Sequence, residues 1–137
     1  MEIKMKDKFL NIDQSLALRE MGFDDVCFAL FKSPYKQLIP IDNQAQNKIS
    51  DKYGIGAPLL QDAFNFFTEK YGVCGYVVPY TDIAGNNGYV YMVKINFCSV
   101  NNIEHKIYEK YKDAQYACID YLIEIIKSIN EKKNRNK

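Results

Sequence analysis

Apolar residues between 112 and 130 recur at three- and four-residue steps: Ala114, Cys118, Tyr121, Leu122, Ile125, Ile126 and Ile129. That period places them along one side of an α-helix. Asp113 can cap its start, and Asp120, Glu124, Lys127 and Ser128 fall on the polar side. Asp120 and Glu124 are like charges one turn apart, which repel weakly; Lys127 beside Glu124 offsets this. A helix of this length is marginal alone in water, so packing of its stripe must hold it. Leu122 and one of Ile125 or Ile126 are therefore expected in the core. A rival use exists, because Cys118, Leu122, Ile125 and Ile129 also approximate a coiled-coil seam.

Two further helices are predicted. Pro58 suits a first helical turn, and Leu60, Phe64, Phe67 and Tyr71 form a stripe ending at Gly72. A shorter helix, capped by Asp13 or Ser15, runs to Met21 and stops at Gly22, where a left-handed residue fits. Both helices end in glycine before a strand and a later Pro-Tyr pair. That echo is read as shared cap chemistry rather than duplication.

Strand patterns lie between the helices. Val26–Phe31 is a continuous apolar run that reads as a strand covered on both faces, with a buried helical segment as the alternative. Val73–Tyr80 and Tyr89–Phe97 are β-branched and aromatic, and Gly85-Asn86-Asn87-Gly88 separates them as a turn, giving an antiparallel hairpin. Pro79 puts the first of these at an edge or at the turn. Residues 33–57 carry either a short strand near Leu38–Ile41 or a functional loop. Residues 98–110 fit an extended segment or an early helix.

The order is α-β-α-β-β-α, and the fold class α+β: a small mixed sheet of three to four strands packed by about three helices. The first two strands would be parallel if adjacent. Residues 1–12 read as a flexible N-terminus, 13–130 as a single α+β domain and 131–137 as a basic disordered tail.

Composition narrows the function. The formal net charge is +1, with an apolar fraction of 47% and a charged fraction of 26%. This is ordinary for a globular chain and lacks the basic excess of most nucleic-acid binders. Arg19 and Arg135 are the two arginines among 18 basic residues, a lysine bias typical of AT-rich coding. No apolar stretch nears the ~20 residues of a membrane span, and no signal-like segment is visible. A cytoplasmic location with reduced thiols follows as the expectation. Cys27, Cys74 and Cys118 sit in apolar surroundings and are expected to be buried and unpaired.

Reactive constellations are missing from the pattern. Gly54-Ile55-Gly56 lacks the third glycine and the context of a nucleotide loop. The single histidine, His105, lies among charges and reads as a surface residue, with Cys98 its least implausible partner. Asp24-Asp25 and Asp120/Glu124 come with no matching base or ligand. No catalytic, cofactor-binding or metal-binding residue is nominated, and no cofactor is implied. The unusual feature is eleven tyrosines and eight phenylalanines with no tryptophan. Tyr76, Tyr80, Tyr89 and Tyr91 fall on the hairpin and form the candidate interaction surface, although such residues most often pack a sheet.

The segments Ala57-Pro58-Leu59-Leu60-Gln61-Asp62-Ala63-Phe64-Asn65-Phe66-Phe67-Thr68-Glu69-Lys70-Tyr71-Gly72 and Tyr111–Ile123 carry a resemblance. Over residues 13–130 the chain resembles small proteins of gut Bacteroidales and their phages, crAss-like phages included, to which no activity is assigned. Relatives often carry a tryptophan before the phenylalanine of the first motif, and this chain does not. The resemblance implies a phage or mobile-element setting, hence the cytosol of a host cell. The preferred expectation is a non-enzymatic accessory protein that binds a protein partner or forms a homo-oligomer. The alternatives are a single-stranded nucleic-acid binder using the tyrosine-rich hairpin, and a small-ligand binder with a pocket beside the 33–57 loop.

Overall fold

The structure, a computed structural model, describes residues 8–24, 27, 29–32, 37–40, 55–95, 98–100 and 106–135. Its elements are α1 (Ile12–Glu20), β1 (Ala29–Lys32), β2 (Gln37–Pro40), β3 (Ile55–Ala57), α2 (Leu60–Tyr71), β4 (Val73–Thr81), β5 (Asn87–Ile95), β6 (Cys98–Val100) and α3 (Tyr111–Arg135). The α+β class and the predicted order hold, with β2, β3 and β6 added. The chain divides into two compact units, residues 1–63 and 64–137, with the boundary inside α2.

In the first unit, α1 is capped by Asn11 and not by Asp13 or Ser15. The Asn11 Oδ1 accepts from the Gln14 backbone N–H at 2.8 Å, and the Gln14 Oε1 accepts from the Asn11 N–H at 3.3 Å. This reciprocal pair satisfies two of the helix's orphan donors. Ser15 Oγ donates to the Asn11 carbonyl at 2.8 Å, and Asp13 lies in the first turn, where the helix dipole favours its charge. At the other end the Phe23 N–H reaches the Leu18 carbonyl at 2.9 Å and the Gly22 N–H reaches that of Arg19 at 3.1 Å. Such a closure needs a left-handed residue, and Gly22 has φ 97°.

The first sheet has the order β2-β1-β3. Both of its pairings are antiparallel, with Leu30 opposite Ile39 on one side and opposite Gly56 on the other. The strand expected near Leu38–Ile41 is β2, an edge strand that tolerates Pro40. The mixed sheet expected from the sequence is instead two antiparallel sheets. β1 takes its partners from β2 and β3, so it forms no parallel crossover with β4. Adjacent residues Ala29 and Leu30 point to opposite faces and are both buried, as a doubly covered strand requires. The core here is Phe9, Ala29 and Ala57, packed by Phe31, Leu38 and Leu59. Phe9 bridges to Leu59, and the Leu10 N–H bonds the Pro58 carbonyl at 2.9 Å.

In the second unit, α2 closes on Gly72 (φ 68°), whose N–H bonds the Thr68 carbonyl at 3.1 Å. The chain passes directly into β4. The second sheet has the order β4-β5-β6 and is antiparallel. The long β4–β5 ladder runs from Val73 opposite Ile95 to Thr81 opposite Asn87. β4 is an edge strand, so Pro79 leaves no central ladder bond unmade. Tyr108 adds a bridge beside β5, exchanging two backbone bonds of 2.8 Å with Tyr89.

Helix α3 lies on β4 and β5 and extends five residues beyond the end predicted at 130. Ala114, Cys118, Leu122 and Ile126 are fully buried, as expected, whereas Ile125 and Ile129 are only half-buried. Ile119 and Ile123, outside the predicted stripe, are buried as well. Cys118 and Leu122 pack toward Gly75 of β4, which takes two of the four seam positions out of reach of a second helix. Cys27 and Cys118 are buried free thiols, but Cys74 is only half-buried. Its strand alternation turns it to the face of β4 opposite Gly75.

Candidate functional site

Strand alternation decides what the hairpin tyrosines can do. Directly opposed residues of an antiparallel pair share a face. The register sets Tyr76 opposite Met92 and Tyr80 opposite Gly88, while Tyr91 lies opposite Val77 and Tyr89 opposite Pro79. Tyr76 and Tyr80 therefore share one face with Cys74, Val78, Val90, Met92 and Lys94. Tyr89 and Tyr91 share the face of Gly75, which is the face under α3. The four tyrosines are thus two pairs on opposite sides of the sheet and do not form one surface.

Their environments differ accordingly. Tyr91 is 3% exposed and packs between Tyr108 and Tyr121, with ring centroids 6.4 and 5.7 Å away. Tyr89 stands edge-on to Tyr111 at 5.5 Å. On the other face the Lys94 ammonium lies over the Tyr76 ring, 5.8 Å from its centroid. Tyr80 is 47% exposed.

The tip of this hairpin is tied to itself. The Asp82 carboxylate accepts from the Asn86 backbone N–H at 2.8 Å and from the Asn86 side-chain amide at 2.9 Å. The Asp82 N–H bonds the Asn86 carbonyl and the Gly85 N–H bonds that of Asp82, both at 3.0 Å. Thr81 Oγ1 donates to Asn87 Oδ1 at 2.6 Å. The bonds from Asn86 hold the Asp82 carboxyl below its ordinary pKa. Gly85, at φ 87°, takes the left-handed position. Ile83 projects from this turn fully exposed.

A separate groove of about 250 Å³ runs beside β5, lined by Tyr91, Tyr108, Ala117, Asp120, Tyr121 and Glu124. The helical residues of that set recur at three- and four-residue steps, so they share one side of α3. The sequence pattern places Tyr121 in the apolar stripe and Asp120 and Glu124 on the polar side. The groove sits where those two sides meet. Tyr108 was not legible as a lining residue, because its position depends on the bridge to Tyr89.

Burial pushes the Cys118 thiol up to about 12, with Cys74 adding to the shift and a backbone bond from Tyr76 opposing it. Among the described residues no group of three or more His, Cys, Asp and Glu side chains could hold a metal ion. His105, Asp25, most of the 33–57 segment and the side chain of Cys98 lie outside the described residues. Gly56 leaves room for Cys27, whose Sγ would stand 3.0 Å from a Cβ there, so this glycine is explained by packing. Among the described residues no helix is long and apolar enough to cross a membrane. Comparison with family models, with curated proteins and with solved structures finds no match to this chain.

Proposed function

We propose that this is a non-enzymatic accessory protein that binds a protein partner through the tip of its β4–β5 hairpin, in the cytosolic phage or mobile-element setting that the resemblance implies. The observation that carries the reading is Ile83, fully exposed on a turn that Asp82 and Asn86 hold shut, with the exposed ring of Tyr80 nearby. A large aliphatic and an aromatic side chain on a pre-ordered turn can anchor a partner with little further loss of conformational freedom.

The test is affinity capture from host lysate with the wild-type chain and with Ile83→Asp/Tyr80→Ser. Both positions are exposed, so thermal melts of the variant should stay within about 0.5 kcal/mol of wild type. A defined protein retained by wild type and lost by the variant is the expected result. Equal retention by both chains, or retention abolished by nuclease treatment, would overturn the reading; the second outcome would favour the nucleic-acid alternative.

A further inference from the structure

The groove beside β5 joins tyrosine walls to an acidic rim. Its wall from the sheet is Tyr91, its second wall is Tyr108, and α3 supplies Ala117, Asp120, Tyr121 and Glu124. Tyr91 is nearly inaccessible, but Tyr108 and Tyr121 are half-exposed and flank it. Asp120 and Glu124 are exposed at the rim. The like charges lie one helical turn apart, an arrangement that weakly opposes the helix.

Aromatic faces carry negative potential and attract cations within about 6 Å of the ring centroid. Carboxylates at the rim add charge-assisted hydrogen bonds for a donor that enters. One ring of the set already carries such a contact: the Lys106 ammonium stands 4.9 Å from the Tyr108 centroid. Ala117, the smallest lining residue, adds no bulk to the helical side of the groove.

We propose that this groove is a docking site for a lysine side chain presented by a partner protein. It rests on the reading above only in taking the partner to be a protein, and its surface is distinct from the hairpin tip. The aliphatic stem would lie along the tyrosine rings, as lysine stems do on apolar surface. The ammonium, with three donors, would reach the Asp120 and Glu124 carboxylates. A primary ammonium suits these two separate rim carboxylates better than a guanidinium, whose planar fork is matched to one carboxylate held bidentately.

The test uses the full-length, isotope-labelled chain and three short peptides identical except at one position: lysine, Nε-acetyl-lysine or arginine. Backbone amide shifts are followed by NMR. The expected result is saturable movement of the 117–124 amides and of Tyr108 with the lysine peptide, and roughly tenfold weaker binding of the acetylated one, which has lost its charge. Asp120→Asn/Glu124→Gln, at exposed positions that should leave the fold intact, should weaken the lysine peptide by a similar factor. Tyr121→Ala should do the same, with the asparagine/glutamine variant deciding if that chain unfolds.

Equal binding of the acetylated peptide would overturn the proposal, and so would an arginine peptide that binds as tightly. Absence of shifts in the groove would also overturn it. Ile83→Asp should titrate like wild type. That result separates failure of hairpin capture from failure of the groove, and loss of the groove shifts in Ile83→Asp would count against the groove as an independent site.

Discussion

Gly75 of β4 lies under Cys118 of α3 so closely that a Cβ added at Gly75 would stand 2.7 Å from the Cys118 Sγ. Real Cβ atoms do not approach sulfur this closely, and Leu122 Cδ1 would be 2.9 Å away on the same side. Glycine is therefore what lets helix and sheet meet at this distance. Gly75→Ala should destabilise the protein by about 1–3 kcal/mol, the usual range for overpacking a core. Gly75→Ala in a Cys118→Ala background should cost less than the sum of the two single changes, because the clashing sulfur is gone. Denaturant melts of the four chains give that coupling directly. Additive losses would show that the close approach is relaxed in solution.

The thiols separate by exposure and not by their apolar neighbours in sequence. Cys27 and Cys118 should label slowly in the native protein, and half-buried Cys74 should label first. The same burial makes a pH prediction. The folded Cys118 thiol is raised from 9.0 to about 12. Between those values the unfolded chain has released a proton that the native chain retains, so stability falls as pH rises through this window. The contribution is fully present below pH 9. Cys118→Ala should flatten the alkaline limb of the stability curve relative to wild type. Parallel curves for the two chains would mean that the thiol ionises without unfolding the core.

Leu122 and Ile126 are fully buried, whereas Ile125 and Ile129 are half-exposed. Leu122→Ala and Ile126→Ala should each cost about 2–5 kcal/mol, and Ile125→Ala distinctly less. Truncation after Lys132 removes only exposed positions among the described residues and should leave the melting temperature unchanged within error. A melting temperature that rises with protein concentration, together with a folded Leu122→Ala monomer, would instead make the stripe an interface.

Helix period, glycine stops and the hairpin turn were readable because each is local. The 3.6-residue stripe marked Leu122 and left Ile125 and Ile126 as alternatives, of which Ile126 is the buried one, and Gly22 and Gly72 are left-handed where the pattern put them. The sheet pairing was not readable, since strand partners are chosen by tertiary contacts: β1 pairs with β2, which the sequence offered only as a strand or a loop, and with β3, whose three residues are too brief to signal. The alternation of Tyr89 and Tyr91 was legible within β5. Their placement opposite Tyr76 and Tyr80 required the cross-strand register, and so the supposed four-tyrosine surface was a sequence cluster without a shared face. The groove was missed for the same reason, because Tyr108 reaches the side of Tyr91 through its bridge to Tyr89.

The turn that presents Ile83 depends on a charge. Asp82 accepts two bonds from Asn86 as a carboxylate, and its pKa is lowered from 3.8, chiefly by the side-chain bond and then by the backbone bond. A depressed carboxyl contributes its stabilisation above the unfolded pKa and loses it as pH falls through the folded one. The turn should therefore be fully closed at neutral pH and loosen only below pH 3.8. The Asn86 amide resonance should report this as a single acid titration, while the amides of Val90 and Val93 in the ladder stay in place. Asp82→Ala should give the loosened spectrum already at neutral pH with little change in global stability, since the turn is exposed. If hairpin capture needs a pre-ordered tip, Asp82→Ala should weaken the partner even though Tyr80 and Ile83 are intact. Undiminished capture by Asp82→Ala, alongside loss of capture by Ile83→Asp, would show that the side chain acts as an anchor without its turn being held.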